Sequence, residues 1–390
     1  MTTTLDGAAT LTDPRTSNPM FGPNRFKLGV FSANCDGGLT MSLAPDRWKA
    51  DWDEIAAMCR LADSAGLEFI LPVAKWRGYQ GKANIYGRSF ETMTHSAAIG
   101  ALTNRICVFS TIHVPLVTPA FGAKALATID HITHGRAGLN IVCGWNQEEF
   151  DLHGVTIAQD TRYEHGLEWY RIWAKLLEGG PAFDWDGAFF KLARLETNPV
   201  SHQRPRPIVM SAGFSPKGRD FAAQAADALF TTITDLEQAP AMFADVAHYT
   251  SQHGRPLAIY AMGHVVCRST RREAEDFYHW FAEEMADSEG QAYYRRQRGG
   301  NAGAGATAVA RPLVNRFMRG SGKAYDGAYP GTYPFVGSPD DVAEDMARMC
   351  AAGFAGASIA FFDYLKEIPF FIEEVLPRLE RLGVRAPSAA

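Results

Sequence analysis

The residues best suited to chemistry follow a short apolar run near the middle of the chain. The run Ala137–Val142 is rich in branched residues, is bounded by glycines and carries a single amide, Asn140. Such a run is typical of a strand buried on both faces of a parallel sheet. Polar and aromatic side chains follow it directly, from Trp145 to Phe150. An amide inside an apolar strand must find hydrogen-bond partners or cost roughly a few kcal/mol. The stretch therefore predicts one wall of an active site.

The elements that would position this wall alternate strictly between strands and helices. Apolar runs predict eight strands, at 26–32, 68–73, 105–111, 137–142, 207–211, 228–232, 257–266 and 357–362. Helical periodicity predicts helices at 48–65, 91–103, 119–132, 163–178, 271–287, 339–352 and 370–382, with another opened by 212–218. Eight strand–helix units favour an α/β fold, a (β/α)8 TIM barrel, over an open doubly wound sheet.

Composition narrows the class of protein. The chain has 390 residues, 46% of them hydrophobic, and a formal net charge of −5, which gives no electrostatic case for nucleic acid or an anionic membrane. No apolar run approaches the roughly 20 residues of a membrane span, and the N-terminus does not resemble a signal peptide.

Six scattered cysteines indicate buried free thiols and a cytoplasmic protein. His131 and His134 lack a third ligand, so no metal site is predicted.

Two segments depart from the barrel pattern. Residues 1–25 lack periodicity and predict a flexible arm before a single barrel domain at 26–390. Residues 288–336 are rich in glycine and arginine, which predicts a mobile lid inserted before the last strand. Within it, residues 303–308 partly match the glycine-rich motif of dinucleotide-binding proteins. It does not follow a strand, so a nicotinamide site is not predicted.

Several motifs together carry a family resemblance. They are Ala127-Thr-Ile-Asp-x-Ile-x-x-Gly-Arg-x-Gly-Leu-Asn-Ile-Val-x-Gly-Trp145, Lys75-x-Arg-Gly-x-x-Gly81, Asp160-x-Arg-Tyr163, Ser211-Ala-Gly-x-Ser215 and Phe362-Asp-Tyr-Leu-x-x-Ile-x-Phe370. In these motifs the chain resembles the luciferase-like, reduced-flavin-dependent monooxygenases, over about 27–383. It is most similar to the branch containing the pyrimidine, dimethylsulfone and alkanesulfonate monooxygenases.

The resemblance implies a luciferase-like barrel with FMN at its C-terminal mouth. Carried over by position, the FMN contacts are Ala74, Lys75, Asn140, Glu149, Arg162, Tyr163 and Ser215. Ser215 and the adjacent amides open a helix, which suits a phosphate, and Arg162 can supply the charge partner. The resemblance also implies an O2 pocket formed by Leu71, Thr111 and Asn140. In the pyrimidine-oxidising members such a pocket goes with a flavin N5-peroxide rather than a C4a-peroxide.

Each of these residues also has an ordinary structural interpretation. Thr111 is a β-branched residue that suits any strand, and Lys75 and Arg77 are charges of a kind that loops usually expose to solvent. Trp145 is interpreted as a pocket wall, with core packing as the alternative. His113 and Phe214 are weaker candidates for the substrate pocket, since a histidine near a strand end is usually structural. The arginines from Arg295 to Arg319 either close over anionic FMN or substrate, or stay solvated.

The functional prediction is a two-component monooxygenase that uses FMNH2 and O2. A separate NAD(P)H:flavin reductase would supply the reduced FMN, and the enzyme would form a homodimer or homotetramer. The predicted substrate is a small planar N-heterocycle or amide, oxidised with C–N or ring cleavage. Two alternatives remain open: a monooxygenase that cleaves the C–S bond of a sulfone or alkanesulfonate, and a non-catalytic flavin-binding protein.

Overall fold

A closed barrel of eight parallel strands forms the centre of the molecule. The computed structural model describes residues 17–300 and 331–387. In these residues the strands are β1 Lys27–Phe31, β2 Phe69–Leu71, β3 Cys107–His113, β4 Ala137–Val142, β5 Phe183–Asp186, β6 Lys191–Leu195, β7 Ile208–Ser211, β8 Ala228–Thr231, β9 Ala258–Cys267, β10 Tyr333–Gly337 and β11 Gly356–Ala360. The barrel runs β1-β2-β3-β4-β7-β8-β9-β11 and closes between β11 and β1. The predicted (β/α)8 fold is confirmed.

Helices surround this barrel. They are α1 Trp52–Ser64, α2 Thr92–Leu102, α3 Pro119–Ile132, α4 Gln147–Asp151, α5 Arg162–Glu178, α6 Pro216–Ala225, α7 Ala239–His253, α8 Arg271–His279, α9 Ser288–Gly300, α10 Pro339–Ala351, α11 Tyr364–Phe370 and α12 Leu376–Arg381. A search of the described residues finds no helix whose length and apolar character would let it cross a membrane.

Aromatic rings fill the barrel interior. Phe31 on β1 and Phe230 on β8 meet with ring centroids 5.0 Å apart, and Phe69 on β2 meets Tyr260 on β9 at 5.7 Å. Neither pair joins neighbouring strands, so both contacts cross the interior. The ring of Phe69 lies over Gly29, where a β-carbon would come within 2.2 Å of it. The interior is therefore a packed core whose open end lies at the carboxyl ends of the strands.

Three strands were missed by the sequence prediction. β5 and β6 form a separate antiparallel hairpin between α5 and β7, and β10 pairs with the second half of β9 outside the closed barrel. The predicted helix at 48–65 begins at Trp52, where Asp51 caps it, while Trp48 is buried and donates its indole N–H to Ala33 O. The predicted helix at 271–287 ends at His279 and continues as a π-helical turn, Trp280–Glu284.

The predicted arm and lid are described in part. In the arm, the side chains of Asn18 and Met20 are buried, and Asn18 donates to Gln203 Oε1 at 3.1 Å. The lid boundaries 288–336 include α9 at the start and most of β10 at the end. Residues 1–16 of the arm and 301–330 of the lid lie outside the described residues, so the mobility of the lid stays a prediction.

Candidate active site

Thr111 and Asn140 lie side by side at the open end of the barrel. They are register partners on β3 and β4. The Asn140 Nδ2 donates to Thr111 Oγ1 at 3.2 Å, and the Thr111 hydroxyl donates to Pro72 O at 2.5 Å. Pro72 follows Leu71, the last residue of β2, whose side chain is fully buried. The structure thus brings the three predicted O2-pocket residues together on three adjacent strands.

The amide of Asn140 is fixed in orientation and only half satisfied. Its side chain is buried, its Nδ2 donates to Thr111, and its Oδ1 has no hydrogen-bond partner among the described residues. A buried acceptor without a donor is costly, by about 1–3 kcal/mol. A ligand that presents an N–H at this position would remove that cost.

Lys75 and Glu149 form a buried ion pair near His113 at the end of β3. The Lys75 Nζ lies 2.5 Å from Glu149 Oε1, and both side chains are almost fully buried. The same carboxylate oxygen accepts the backbone N–H groups of Trp76 and Arg77 at 3.3 and 3.4 Å. Burial lowers the pKa of Lys75, and the charge of Glu149 acts in the opposite direction. Lys75 is therefore not a solvated loop charge, whereas Arg77 is largely exposed.

His113 faces the other oxygen of the Glu149 carboxylate. Its Nδ1 lies 3.9 Å from Glu149 Oε2, which is too long for a hydrogen bond. Neither atom has a hydrogen-bond partner within the described part of the chain. Burial lowers the pKa of His113 to about 4, so the ring is neutral at pH 7. A neutral imidazole can offer either a donor or an acceptor to a bound molecule.

Aromatic side chains surround the Lys75 ammonium group. Its Nζ lies 4.5 Å from the ring centroid of Tyr79 and 5.3 Å from that of Trp145, within cation–π range. Trp145 is partly buried against the core, and its role as a pocket wall stays a prediction. Ala74 and Phe214 are partly buried in the loops that follow β2 and β7.

A second group of predicted residues lies where the first residues of α5 meet the start of α6. Ser215 caps this helix, with its Oγ accepting the N–H of Gly218 at 3.1 Å and donating to Tyr163 Oη at 3.3 Å. Burial raises the pKa of Tyr163. Arg162 donates to Gln147 Oε1 at 2.9 Å, while its Nε has no acceptor among the described residues.

Two glycines let the backbone pack closely at this helix start. A β-carbon at Gly213 would lie 2.4 Å from Gly218 O, and one at Gly218 would lie 2.7 Å from Tyr163 Oη. The two glycines therefore allow the loop and the helix to approach each other closely. A helix N-terminus with a serine cap and an arginine nearby suits a phosphate group.

These two groups fit the parts of FMN. Asn140 Oδ1, which lacks a hydrogen-bond partner among the described residues, and the Lys75–Glu149 pair can bind the polar edge of the isoalloxazine ring. Ser215 and Arg162 can bind the phosphate. No three His, Cys, Asp or Glu side chains in the described ranges cluster as metal ligands.

Sequence reasoning missed two features of the site. The Phe31–Phe230 ring pair crosses the barrel interior, and only the position of Phe31 at the end of β1 hinted at it. Glu148 binds α9 through Tyr293 and Gln297. That contact spans about 145 residues of sequence, and no local pattern predicts it.

Comparisons with known proteins agree with this geometry. A family model described as luciferase-like monooxygenase matches residues 26–356. The chain is 28% identical to the pyrimidine monooxygenase RutA of Caulobacter sp. (strain K31), over 92% of this chain and 100% of that protein. It is 27% identical to the FMNH(2)-dependent dimethylsulfone monooxygenase of Pseudomonas putida, over 91% of this chain and 96% of that protein.

The fold matches that of a solved relative. The crystal structure of the long-chain alkane monooxygenase LadA superimposes with a TM-score of 0.80 at 18% identity, over 94% of each chain. The predicted use of reduced flavin and O2 is confirmed by the family and by the relatives at sequence level. The chain belongs to the luciferase-like monooxygenase family.

Proposed function

We propose that this monooxygenase oxidises a small planar N-heterocycle or amide and cleaves a C–N bond of it. The observation that carries the proposal is the hydrogen-bonded pair Thr111–Asn140 beside Leu71, with Asn140 Oδ1 left free to accept. The pyrimidine monooxygenases among its relatives support the substrate class. A separate NAD(P)H:flavin reductase would supply reduced FMN, as in two-component enzymes.

The residues that would hold FMN are those of the two groups at the barrel mouth. Asn140, Lys75 and Glu149 would bind near the ring, and Arg162, Tyr163 and Ser215 would bind near the phosphate. When bound, reduced FMN supplies the electrons and the site at which O2 is activated. The protein supplies binding, orientation and exclusion of water.

The Thr111 hydroxyl has a defined orientation in this arrangement. Its hydrogen is directed to Pro72 O, so its lone pair accepts from Asn140 Nδ2. This chain of two hydrogen bonds aims Asn140 Oδ1 away from Thr111. The buried side chain of Leu71 makes the neighbourhood of Pro72 apolar, which strengthens polar contacts inside the site.

The proposal is tested by removing the Thr111 hydroxyl. Thr111→Ala should lower the rate of substrate oxygenation by about a hundredfold or more, because Asn140 loses the contact that orients it. Thr111→Ser keeps the hydroxyl and is the matched control. Turnover with photoreduced FMN is followed by mass spectrometry for added oxygen, and FMN affinity is measured in parallel. Near-normal turnover by Thr111→Ala would overturn the proposal.

A sulfone or sulfonate is the second candidate substrate class. The near-equal similarity to a dimethylsulfone monooxygenase favours it. The same assay separates the two, because C–S cleavage releases sulfite or a sulfinate and C–N cleavage gives a ring-opened product or ammonia. A homodimer or homotetramer is also proposed, and sedimentation velocity would measure it.

A further inference from the structure

Two adjacent glutamates on α4 connect the site to α9. Glu149 is fully buried and faces Lys75, whereas Glu148 is partly exposed and contacts α9. The helix that carries them has only five residues, capped by the Asn146 side chain. A helix this short is not stable in isolation, so tertiary contacts must fix its position.

Two side chains of α9 hold the Glu148 carboxylate. The Tyr293 hydroxyl donates to Glu148 Oε2 at 2.5 Å, and Gln297 Nε2 donates to Glu148 Oε1 at 2.6 Å. Tyr293 and Gln297 are four residues apart and so lie on one face of α9. The hydrogen bond from Tyr293 is the largest cause of the lowered pKa of Glu148. Burial, together with this hydrogen bond, raises the pKa of Tyr293 to about 12. The contact therefore joins a neutral phenol to a carboxylate, a charge-assisted hydrogen bond.

The opposite side of α4 is held by the loop that follows β2. Glu149 binds Lys75 and the backbone N–H groups of Trp76 and Arg77. The same loop reaches α9 by a second route, since the ring of Tyr79 lies 5.2 Å from that of Tyr294 and 4.5 Å from Lys75 Nζ. α4 thus contacts both elements: Glu149 faces the loop, whereas Glu148 is held by α9 and also has Arg77 Nη1 of the loop 3.7 Å from its Oε2.

We propose that Tyr293 and Gln297 are positioning residues for the flavin-binding ion pair. By holding Glu148 they fix α4, and α4 in turn holds Glu149 against Lys75. The inference rests on the proposed role of Lys75 and Glu149 in binding FMN. It adds that the affinity of the site for flavin is set in part by α9, which contacts α4 through Glu148 and the loop through Tyr79.

The test compares FMN affinity with stability in the full-length protein. Tyr293→Phe removes one hydroxyl and keeps the ring, and it should raise the Kd for FMN about five- to fiftyfold, the range expected for one hydrogen bond to a charged group acting indirectly. Tyr249→Phe on α7 is the matched control and should leave the Kd unchanged. The Kd is measured by fluorescence titration with oxidised FMN and anaerobically with reduced FMN. Thermal unfolding is recorded for the same variants.

A double-mutant cycle shows whether Tyr293 acts through Glu148. Glu148→Ala should weaken FMN binding at least as much as Tyr293→Phe, and the double variant should be no weaker than Glu148→Ala alone. Glu148→Gln keeps an acceptor for Tyr293 and should restore most of the affinity. An unchanged Kd in Tyr293→Phe, with or without a lower Tm, overturns the inference. Additive losses in the double variant overturn it as well.

The cycle needs neither substrate nor O2. Failure of the wild-type protein to bind FMN would count against the proposed function, whereas wild-type binding that Tyr293→Phe leaves intact counts against the positioning role alone.

Discussion

Buried histidines link the stability of this protein to pH. Burial lowers the pKa of His95 and His113 to about 4 and that of His264 to about 3. In the unfolded chain a histidine titrates near 6.5. Between these values the unfolded state binds more protons than the folded state, so the free energy of unfolding falls as the pH drops from about 6.5 towards 4.

His95 offers the cleanest test of this link. Neither ring nitrogen has a hydrogen-bond partner in the described chain, and the ring packs edge-on against Trp52 at 6.3 Å. His95→Phe should therefore keep the packing and remove the titration, which is worth on the order of 3 kcal/mol for one fully buried histidine. Urea unfolding at pH 7.5 and pH 5 should show a smaller difference for this variant than for the wild type.

An exposed histidine provides the control for that measurement. His134 lies on the surface with a φ of 52°, a conformation that asparagine tolerates, so His134→Asn serves as the control variant in the same urea unfolding. An equal pH dependence in His95→Phe and the wild type would show that His95 does not titrate as its burial requires.

The sequence indicated a place in the site more directly for Asn140 than for Lys75. An amide within an apolar strand stands out locally, because it needs a partner wherever the strand lies. Lys75 stands in a polar loop, and its burial depends on Glu149, 74 residues later in the chain. A partner so distant in sequence leaves no local signal, so only the family resemblance indicated that Lys75 belongs to the site.

At the scale of elements, apolar runs identified the eight barrel strands. These strands are buried on both faces, which gives them a continuous hydrophobic signal. The hairpin strands β5 and β6 are largely exposed and carry charges, so they lack that signal. β10 is fully buried, but it lies at the end of a glycine- and arginine-rich segment and was assigned to the lid. The composition of the residues before β10 therefore determined the prediction, although the residues of β10 itself are typical of a strand.

Two helices of the barrel begin with a hydroxyl cap followed by a proline, which allows the loss of each cap to be compared. α3 begins at Thr118-Pro119 and α6 at Ser215-Pro216, and each hydroxyl accepts a backbone N–H of the first turn. Loss of either cap should cost about 1 kcal/mol of stability. Only Ser215 belongs to the proposed phosphate site, so Ser215→Ala should also weaken FMN binding, whereas Thr118→Ala should not.

Riboflavin, which lacks the phosphate, makes this comparison specific. If α6 binds the phosphate, Ser215→Ala raises the Kd for FMN and leaves that for riboflavin unchanged. Equal losses for both flavins in fluorescence titrations would place the effect of Ser215 on the ring and contradict the phosphate assignment.

At the scale of the whole molecule, the two ends of the described chain meet at the end of the barrel opposite the site. The backbone N–H of Phe26 donates to Val384 O, and that of Ala386 donates to Asn24 Oδ1. Arg385 lies between these contacts. Its guanidinium binds Glu68 Oε2 at 2.8 Å and Gly66 O at 2.8 Å, just before β2. The C-terminal segment thus holds the amino ends of β1 and β2 together, next to the β11–β1 pairing that closes the barrel.

These contacts predict that a variant can lose stability while its affinity for FMN stays unchanged. Glu68 and Arg385 are both buried, and the same Glu68 carboxylate also accepts the N–H of Leu28. Arg385→Met would leave Glu68 buried without its charge partner, which should lower the free energy of unfolding by about 3–5 kcal/mol. The proposed flavin site lies at the other end of the strands, so the Kd for FMN at a temperature where the variant is folded should stay at the wild-type value. Arg381→Met, at an exposed arginine of α12, should change neither quantity. Urea unfolding and FMN titration of the two variants measure both effects, and an Arg385→Met protein as stable as Arg381→Met would show that the chain ends do not close the barrel.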